Sequence, residues 1–592
     1  LCDAFTGESA RHPAHISGLI TPHAKEMSDE TCDEDWDSFR LGHIADVEGN
    51  WEYFEEYVSR SNVLDWEEVD APASSSYEGV MFKQLTLRPN SHFVYGGDVV
   101  DRGIGDIRLA RSLVRLKRNH PDRVSLLVGN RDLNKLRLSS ELSETDMNRP
   151  VDEIGGPFWD PKAPTLTQYL EGVMSESGTS SLEKVNTKVE RLKYMLKHTL
   201  GCPETFEYRR VEIKLLKCIY GQYPPDPITN ELTPFLIDDG KVDVSVDVSD
   251  DEVVASFEYE INSEHGSLRE YLNEAQIAAI VGNTIFVHGA IDALTMRWVP
   301  PTDTKFQIPE TEPPDFSSPS PRSGDGAMYE DVSQWVNELN FYMKKGMSDF
   351  QQRPYWNEER TSRGGEALLA IQNRPSMWGR SVVCNSYADG GNVHSDGAIE
   401  NRRDALKRAR VMKDPLAFEG LASDVFDKRP SDWLLGQGIQ RLIVGHKPTG
   451  DCPAVLNSVY TGVEIVSVDL SYAHRHDLEN ESSLRFGKSR GEAITNVEIA
   501  GRDSLNNALE VYGVLACGRE YHNRYTTLSS IDCTARPTEK IEDNYLGRRM
   551  SSGWWVKARL QSGEYHVSKG SGRKVEYKSI PPDEVREDFK CK

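Results

Sequence analysis

The feature that most constrains the fold of this chain is a recurring unit in which an apolar segment stops at a polar, glycine-containing loop and a helix-like segment follows. Residues 92–95 lead into the loop 96–98, and residues 106–118 then carry apolar side chains at helical spacing. Residues 124–128 lead in the same way into the loop 129–132, before a helix expected near residues 133–142. A strand-like segment that ends at residue 45 likewise leads through the loop 46–50 into a helical stretch at residues 51–60. Strands that alternate with helices predict an α/β architecture, in which polar residues gather just past the carboxyl ends of strands.

Size and charge narrow the class of protein. At 592 residues the chain exceeds what one hydrophobic core usually supports, so we expect two domains or one domain with large insertions. The 94 acidic residues against 69 basic ones give a net charge of -25, which argues against binding to nucleic acid or to anionic membranes. No apolar run approaches the length that spans a bilayer. We therefore expect a globular protein with neither nucleic-acid nor membrane partners.

The cysteines give no sign of a structural framework. Nine of them are scattered without any Cys-x-x-Cys pair, so the sequence predicts neither a disulfide framework nor a structural zinc site. Cysteines that remain reduced thiols are typical of cytoplasmic proteins, so we expect a cytoplasmic location. Because the sequence begins at Leu1 rather than at Met, an N-terminal targeting segment removed earlier is not excluded.

Changes in composition divide the chain into seven segments. They are a polar N-terminal arm (1–37), the first part of a core (38–142), a helical and acidic insertion (143–280), a core strand with a polar end (281–299), a Pro/Ser-rich loop with a helical insertion (300–438), the last part of the core (439–535) and a small β-rich C-terminal tail (536–592). The most acidic stretch, residues 237–260, is interpreted as a solvated cap or a partner surface, so a protein partner of the insertions is a further expectation.

Five polar loops carry the residue types of a metal-dependent hydrolase. They occupy residues 46–50, 97–103, 129–132, 287–289 and 444–448. In order and residue type they resemble the calcineurin-like metallophosphoesterase superfamily, whose series reads DxH, GDxxDR, GNH(E/D), H and GH. The second loop reads GDVVDRG and is similar to the GDxVDRG of the phosphoprotein phosphatase branch. We therefore identify a resemblance to a divergent member of this superfamily.

The resemblance implies a fold and a metal centre. The fold is a metallophosphoesterase-type β-sandwich flanked by helices, with large, mostly helical insertions and the small β-rich tail. The centre contains two divalent metal ions (Mn, Mg, Fe or Zn) whose shared hydroxide attacks phosphorus in line. Asp98 matches the ligand that bridges both ions. The full set of matching metal ligands is Asp46, Glu48, Asp98, Asn130, His288 and His446.

Other positions match residues that contact the substrate. Arg102 corresponds to the family's phosphate-binding arginine, whose planar fork holds two phosphate oxygens. Arg380 lies where related phosphatases carry a second such arginine. Asp101 and Arg131 occupy the positions of the catalytic pair in which an aspartate orients a histidine that protonates the leaving group.

Two positions depart from the family pattern. Glu48 replaces a metal-binding histidine, which makes the first metal position an all-oxygen site and favours manganese or magnesium there. Arg131 replaces the proton-donating histidine, and an arginine does not release its proton near neutral pH. Asp101 is then free to form an ion pair with Arg131. A replacement acid comes from elsewhere, with His474 and His476 as candidates after the last core strand, or is missing.

These departures leave more than one function open. The first hypothesis is a phosphoric monoester hydrolase, a metallophosphatase that acts on a phosphoprotein or on a small phosphate ester. Hydrolysis of nucleotides or dinucleoside polyphosphates is an alternative within this class. The second hypothesis is a catalytically degenerate pseudo-phosphatase that acts as a binding scaffold, an interpretation that depends on Glu48 and Arg131.

Overall fold

The computed structural model describes residues 38–70, 81–157, 162–224, 235–236, 246–291, 296–300, 327–371, 375–378, 428–446, 449–456, 463–470, 493–525, 545–547, 550–571 and 574–590. Within these ranges the chain is a mixed α/β protein with helices packed on several sheets. The strands are β1 (Phe39–Ile44), β2 (Leu64–Glu68), β3 (Met81–Leu87), β4 (Ser91–Tyr95), β5 (Val124–Leu126), β6 (Phe235–Leu236), β7 (Ala278–Val281), β8 (Thr284–Val287), β9 (Trp298–Val299), β10 (Ala327–Met328), β11 (Arg441–Val444), β12 (Ala454–Leu456), β13 (Glu464–Ser467), β14 (Ile494–Gly501), β15 (Asn507–Val514), β16 (Glu520–Tyr525), β17 (Trp555–Arg559), β18 (Tyr565–Ser571) and β19 (Lys574–Ile580).

Helices fill most of the remaining described chain. They are α1 (Trp51–Arg60), α2 (Asp106–Asn119), α3 (Asn130–Asn134), α4 (Leu136–Glu141), α5 (Glu144–Met147), α6 (Leu166–Ser177), α7 (Leu182–Val185), α8 (Lys188–Tyr194), α9 (Thr205–Tyr220), α10 (Asp250–Asn262), α11 (Ser267–Glu274), α12 (Val332–Gln352), α13 (Glu366–Ile371), α14 (Pro375–Trp378), α15 (Lys428–Gly436) and α16 (Pro582–Lys590). A short 3-10 helix covers Val151–Glu153, and a π-helical turn continues α8 over Met195–Leu200.

The first large sheet carries three of the predicted polar loops at one edge, after β1, β4 and β5. Its described strands lie in the order β16, β15, β14, β1, β4 and β5. β1, β4 and β5 are parallel, whereas β14 pairs antiparallel with β1. Parallel neighbours need a crossover connection, and the predicted helices α1 and α2 lie in the two crossovers. The carboxyl ends of β1 and β4 therefore meet at the same edge.

The second large sheet brings two further loops to the site. Its described strands lie in the order β12, β13, β11, β8 and β7, with β8, β11 and β13 parallel. Leu41 and Val94 of the first sheet and Phe286 and Ile443 of the second belong to one buried cluster. The rings of His43 and Phe286 meet between the sheets, with 5.2 Å between centroids. The two sheets thus share a core, and the ends of β8 and β11 lie beside those of β1 and β4.

The region after α4 is helical, as the sequence predicts, but its acidic stretch is only partly solvated. α10 occupies residues 250–262 of this stretch and packs against α4, α8 and α9. It begins with a capping box between Ser249 and Glu252 and buries Val253 and Phe257. The described part of the acidic stretch therefore helps to build the core of the insertion, and its role as a cap or a partner surface stays a prediction.

The C-terminal tail is a small β structure, as the sequence predicts. β17, β18 and β19 form a three-stranded antiparallel sheet within the described residues. Val556, Ala558 and Val567 of this sheet are buried in the same cluster as Leu509 and Val511 of the first large sheet. The tail therefore packs on the core. Among the described residues, no helix is both long enough and apolar enough to cross a membrane.

Candidate active site

The candidate site lies where loops follow β1, β4, β5, β8 and β11. Asp46, Asp98 and His446 follow three of these strands and have φ angles of 55°, 55° and 64°. Non-glycine residues adopt this left-handed region rarely, and such strain is concentrated at functional sites. The backbone N–H of Asp46 donates to the carbonyl of Gly97 at 3.0 Å, which ties the first two loops together. The strained turns aim polar side chains of separate loops into one space.

Gly97 shows how closely the loops approach. It has a φ of 91°, and a Cβ atom there would lie 2.6 Å from the backbone nitrogen of Gly129 and 2.9 Å from Nδ1 of His288. A side chain would force three loops apart, so only glycine allows this approach.

Four side chains of metal-ligand type converge beside Gly97. Nε2 of His288 lies 3.4 Å from Oδ2 of Asp98 and 3.3 Å from Oδ1 of Asn130. The rings of His288 and His446 lie 5.4 Å apart between centroids, and ligand atoms of Asp98, His288 and His446 all lie within 4.8 Å of one another. We call Asp98, Asn130, His288 and His446 the imidazole side of the site.

The second nitrogen of His288 fixes the orientation of its ring. Nδ1 lies 2.8 Å from the backbone carbonyl oxygen of Gly96, which accepts a hydrogen bond from the Nδ1–H group. This hydrogen bond leaves Nε2 as the nitrogen that is available to a metal ion. The tautomer required for metal binding is therefore set by the backbone of the loop after β4.

The electrostatics of the imidazole side favour a cation. Burial by itself lowers the pKa of His288, but the carboxylates of Asp98 and Asp46 outweigh burial and raise that pKa to about 10. Burial raises the pKa of Asp98, but His288 and Arg131 outweigh burial and lower that pKa. In the absence of another cation, the imidazole of His288 thus keeps its proton, and this positive charge balances the carboxylates. A divalent ion would replace this proton.

Asp46 completes the negative charge of the site. Its two carboxylate oxygens accept the backbone N–H of His446 at 3.1 and 3.0 Å. Burial and then the charge of Asp469 raise the pKa of Asp46, with Asp98 and Glu48 adding to the effect. A carboxylate whose ionisation is opposed by burial and by neighbouring negative charge would be stabilised by a metal ion. The sequence interpretation missed Asp469, which follows β13. The available signal was an acidic residue near the end of an apolar, strand-like segment.

Asp132 is a second residue that the sequence interpretation left without a role. It is fully buried, and its carboxylate accepts the N–H groups of Asp98, Val99 and Gly129 at 2.9, 2.8 and 2.8 Å. Three such bonds hold the loops after β4 and β5 at a fixed separation. The signal was its place two residues after Asn130 in the third polar loop.

The other half of the site is built from arginines and their counterions. Nε of Arg131 lies 2.6 Å from Oε1 of Glu48, and its NH1 lies 3.2 Å from Oδ2 of Asp101. Nε of Arg102 lies 3.5 Å from Oε2 of Glu48, and Nζ of Lys135 lies 2.5 Å from Oδ1 of Asp101. We call Glu48, Asp101, Arg102 and Arg131 the arginine side. The expected pair of Asp101 and Arg131 is present.

Arg131 is held as a permanent cation. Burial lowers its pKa, but Glu48, Asp101 and Asp98 outweigh burial and raise the pKa well above its usual value. Its side chain is 14% exposed and that of Arg102 is 19% exposed, so both guanidinium groups are partly accessible. The arginine side offers positive charge to an anion and no proton to a leaving group.

Helix α9 and Gly201 of the insertion form polar contacts that hold the arginine side in place. The hydroxyl of Thr205 donates to the carbonyl oxygen of Asp101. NH2 of Arg209 lies 3.1 Å from Oδ2 of Asp106, whose Oδ1 accepts the N–H of Asp101 at 3.0 Å. NH2 of Arg102 donates to the carbonyl of Gly201 at 3.2 Å. The sequence interpretation found no role in catalysis for this insertion, because contacts across about a hundred positions leave no local pattern.

The two sides differ in how well they suit a metal ion. The imidazole side offers a carboxylate, an amide oxygen and two imidazoles, a donor set typical of divalent transition metals. The first metal position of the resemblance uses Asp46, Glu48 and Asp98, but Glu48 contacts two guanidinium groups. A metal ion at that position therefore competes with Arg131 for Glu48.

Some predicted site residues lie outside the described residues. They are Arg380, His474 and His476. Their roles remain predictions.

Comparisons with known proteins add little to this geometry. No family model and no curated protein matches the chain. A solved structure of a cold-active protein-tyrosine phosphatase from a psychrophilic Shewanella species has 9% identity over 82% of this chain and 80% of that chain, with a TM-score of 0.30. A protein serine/threonine phosphatase from Saccharomyces cerevisiae has 9% identity over 80% of this chain and 79% of that chain, with a TM-score of 0.26. At these TM-scores the likeness carries no argument about the family or the activity of this chain.

Proposed function

We propose that the chain is a metal-dependent phosphoesterase that hydrolyses phosphate monoesters. The observation that carries this proposal is the convergence of Asp98, His288 and His446 from three loops within 4.8 Å, beside the partly accessible Arg102 and Arg131. Metal ligands next to arginine forks are the parts that phosphoryl transfer requires. Two sheets that share one core are also compatible with the metallophosphoesterase-type sandwich, which is part of the proposal.

Two divalent ions belong to the proposal. Asp98, Asn130, His288 and His446 would hold one ion, and Asp46, Glu48 and Asp98 would hold the other, for which manganese or magnesium is favoured. When bound, such ions supply Lewis acidity at the phosphoryl group and lower the pKa of the attacking water. We expect the imidazole side to fill first, because Oδ2 of Asp98 lies 3.7 Å from Nε of Arg131, whereas Oε1 of Glu48 lies 2.6 Å from that atom and is held more tightly.

The residues of the chain itself bind and orient the phosphate. Arg102 and Arg131 would contact phosphoryl oxygens, while Glu48 and Asp101 hold the arginine forks in place. Arg131 stabilises developing negative charge but keeps its proton. The leaving group therefore departs largely by its own acidity. We propose aryl phosphates, such as phosphotyrosine in a protein or a small aryl ester, as the preferred substrates.

One observation favours the second candidate, a non-catalytic scaffold. Glu48 is engaged by both arginines, so the first metal position is partly neutralised without a metal. A protein with this arrangement could bind phosphate without hydrolysing it.

Restoration of activity by metal separates the two candidates. Purified protein is stripped with a chelator, and hydrolysis of an aryl phosphate is then followed as Mn²⁺ or Mg²⁺ is added back. We expect turnover to disappear on stripping and to return with the ion, together with metal bound to the protein. Protein that regains its metal but shows no turnover with any divalent ion would support the scaffold.

A further inference from the structure

A second cluster of ligand-type side chains lies where the C-terminal sheet packs on the core, beside the start of β12. Asp451 and Cys452 lie just before β12, and His566 lies in β18. The three residues are buried, with exposures of 5%, 1% and 2%. Carboxylate, thiol and imidazole groups buried together are unusual unless they are bound to one another or to an ion.

The three side chains are close enough to share one ion. Nε2 of His566 lies 3.0 Å from Oδ1 of Asp451, and one ligand atom from each of Asp451, Cys452 and His566 lies within 4.8 Å of the others. Nδ1 of His566 is also buried and has no hydrogen-bond partner among the residues that the structure describes. The imidazole therefore has binding capacity that the protein itself does not use.

We infer that Asp451, Cys452 and His566 form a structural site for a divalent cation of the zinc type. Sulfur, nitrogen and oxygen donors of this kind are the ligands that zinc takes in proteins. Cys452 as a thiolate and Asp451 as a carboxylate neutralise the two charges of the ion. Ligation joins the loop before β12 to the middle strand of the C-terminal sheet, so the ion fixes that sheet to the core.

The surroundings hold the ligands in place. The ring of Tyr577 stacks on His566 with 5.3 Å between centroids and 11° between planes, and its hydroxyl accepts the N–H of Asp451 at 3.3 Å. Nζ of the buried Lys557 donates to the carbonyl of Thr449 at 2.9 Å. In the competing explanation, the ammonium group of Lys557 balances the negative charge of Asp451 and no metal ion is bound.

The sequence gives no local sign of this site. Asp451 and His566 are 115 positions apart, so no Cys-x-x-Cys or similar spacing marks it. Only the packing of the C-terminal sheet on the core brings the ligands together.

Cobalt spectroscopy distinguishes this site from the candidate active site. In the full-length variant Asp98→Asn, which removes an active-site ligand, bound Co²⁺ should still give a thiolate-to-cobalt charge-transfer band, because Cys452 supplies sulfur. The band should disappear when Cys452→Ser is added and should persist when the exposed Cys517→Ser is added instead. A folded Asp98→Asn protein without the band, or a band that survives Cys452→Ser, would overturn the inference.

A second measurement does not depend on how well the Cys452 variant folds. The Asp98→Asn protein as purified should contain zinc, and a chelator should remove it and lower the melting temperature. Absence of zinc together with a melting temperature that the chelator leaves unchanged would contradict the site. Neither result depends on phosphoesterase activity, so failure of the proposed function and failure of this inference are separate outcomes.

Discussion

Asp98 lies next to both the imidazole side and the arginine side of the candidate active site. The two sides differ in the group that balances the buried negative charge. On the imidazole side, His288 carries the compensating charge, and its pKa is raised to about 10 by Asp98 and Asp46 against the effect of burial. A titratable proton can be exchanged for a metal ion. On the arginine side, the compensating charge is Arg131, whose proton is permanent. The first side is suited to bind a metal ion and the second to bind an anion.

One residue, Arg131, accounts for this difference between the two sides. Arg131 draws Glu48 to 2.6 Å and Asp101 to 3.2 Å, so two carboxylates of the site become counterions of a guanidinium group. Substitutions on the two sides should therefore have different effects on metal content and on catalysis.

The largest effect is expected from His288→Ala on the imidazole side. Loss of a metal ligand should empty this position and lower kcat/KM by about a thousandfold or more, or about 4 kcal/mol of transition-state stabilisation. Metal analysis and aryl phosphate kinetics check this together. His522→Ala, at a side chain that is 60% exposed, is the matched control and should change neither quantity. Wild-type metal content in His288→Ala would show that the imidazole side is not a metal position.

Removal of an arginine should weaken catalysis without removing metal. Arg102→Ala should lower kcat/KM by about one to three powers of ten, the range expected from loss of a charge-assisted bidentate contact. Metal content should stay at the wild-type level. Arg586→Ala, at a side chain that is 39% exposed, is the control. An unchanged kcat/KM would show that Arg102 has only a structural role, as a counterion of Glu48.

A change at Arg131 should alter selectivity more than overall rate. The wild type should prefer aryl phosphates, because a phenolate of pKa about 10 leaves without help, whereas a serine alkoxide is more basic. Arg131→His should narrow the ratio of aryl to alkyl kcat/KM by about tenfold or more, since a general acid contributes at least that much. Asp101 would be free to orient the new imidazole. A native preference for alkyl phosphates that Arg131→His leaves unchanged would show that another residue donates the proton.

The smallest effect is expected at the contact between the insertion and the arginine side. Thr205→Val removes the hydroxyl that donates to the carbonyl of Asp101 and keeps the side-chain shape. We expect a loss of about 1 kcal/mol in the free energy of unfolding and a several-fold lower kcat/KM, with unchanged metal content. Thr167→Val is the control, because its hydroxyl has no hydrogen-bond partner among the described residues. Equal effects of both variants would leave α9 without a specific role.

The local elements of the fold could be predicted from the sequence, because their signals are local. The apolar spacing of residues 51–60 predicts α1, and the structure adds its cap, in which Oδ1 of Asn50 accepts the N–H of Tyr53 at 3.1 Å. A helix predicted near residues 133–142 is present as two short helices, α3 and α4, which meet at Lys135. Lys135 reaches back to Asp101, and such a tertiary contact overrides local helical propensity.

The candidate site was predictable where a polar residue directly follows a strand. Asp46, Asp98, His288 and His446 stand in that position, and the structure brings them together. The sequence could not show which charged side chains, far apart along the chain, come close to one another in the fold. The engagement of Glu48 by Arg131 and the charge of Asp469 near Asp46 depend on how the loops pack. The same holds for the support that α9 gives to Asp101.

The variant Asp98→Asn tests whether metal ions held through Asp98 drive hydrolysis. Metal content and aryl phosphate turnover are measured on the wild type, on Asp98→Asn and on the control Asp583→Asn, whose side chain is 89% exposed. We predict that Asp98→Asn folds as the wild type does, loses the metal bound at the active site and loses nearly all turnover, while Asp583→Asn retains both. Wild-type metal content and turnover in folded Asp98→Asn would contradict the account.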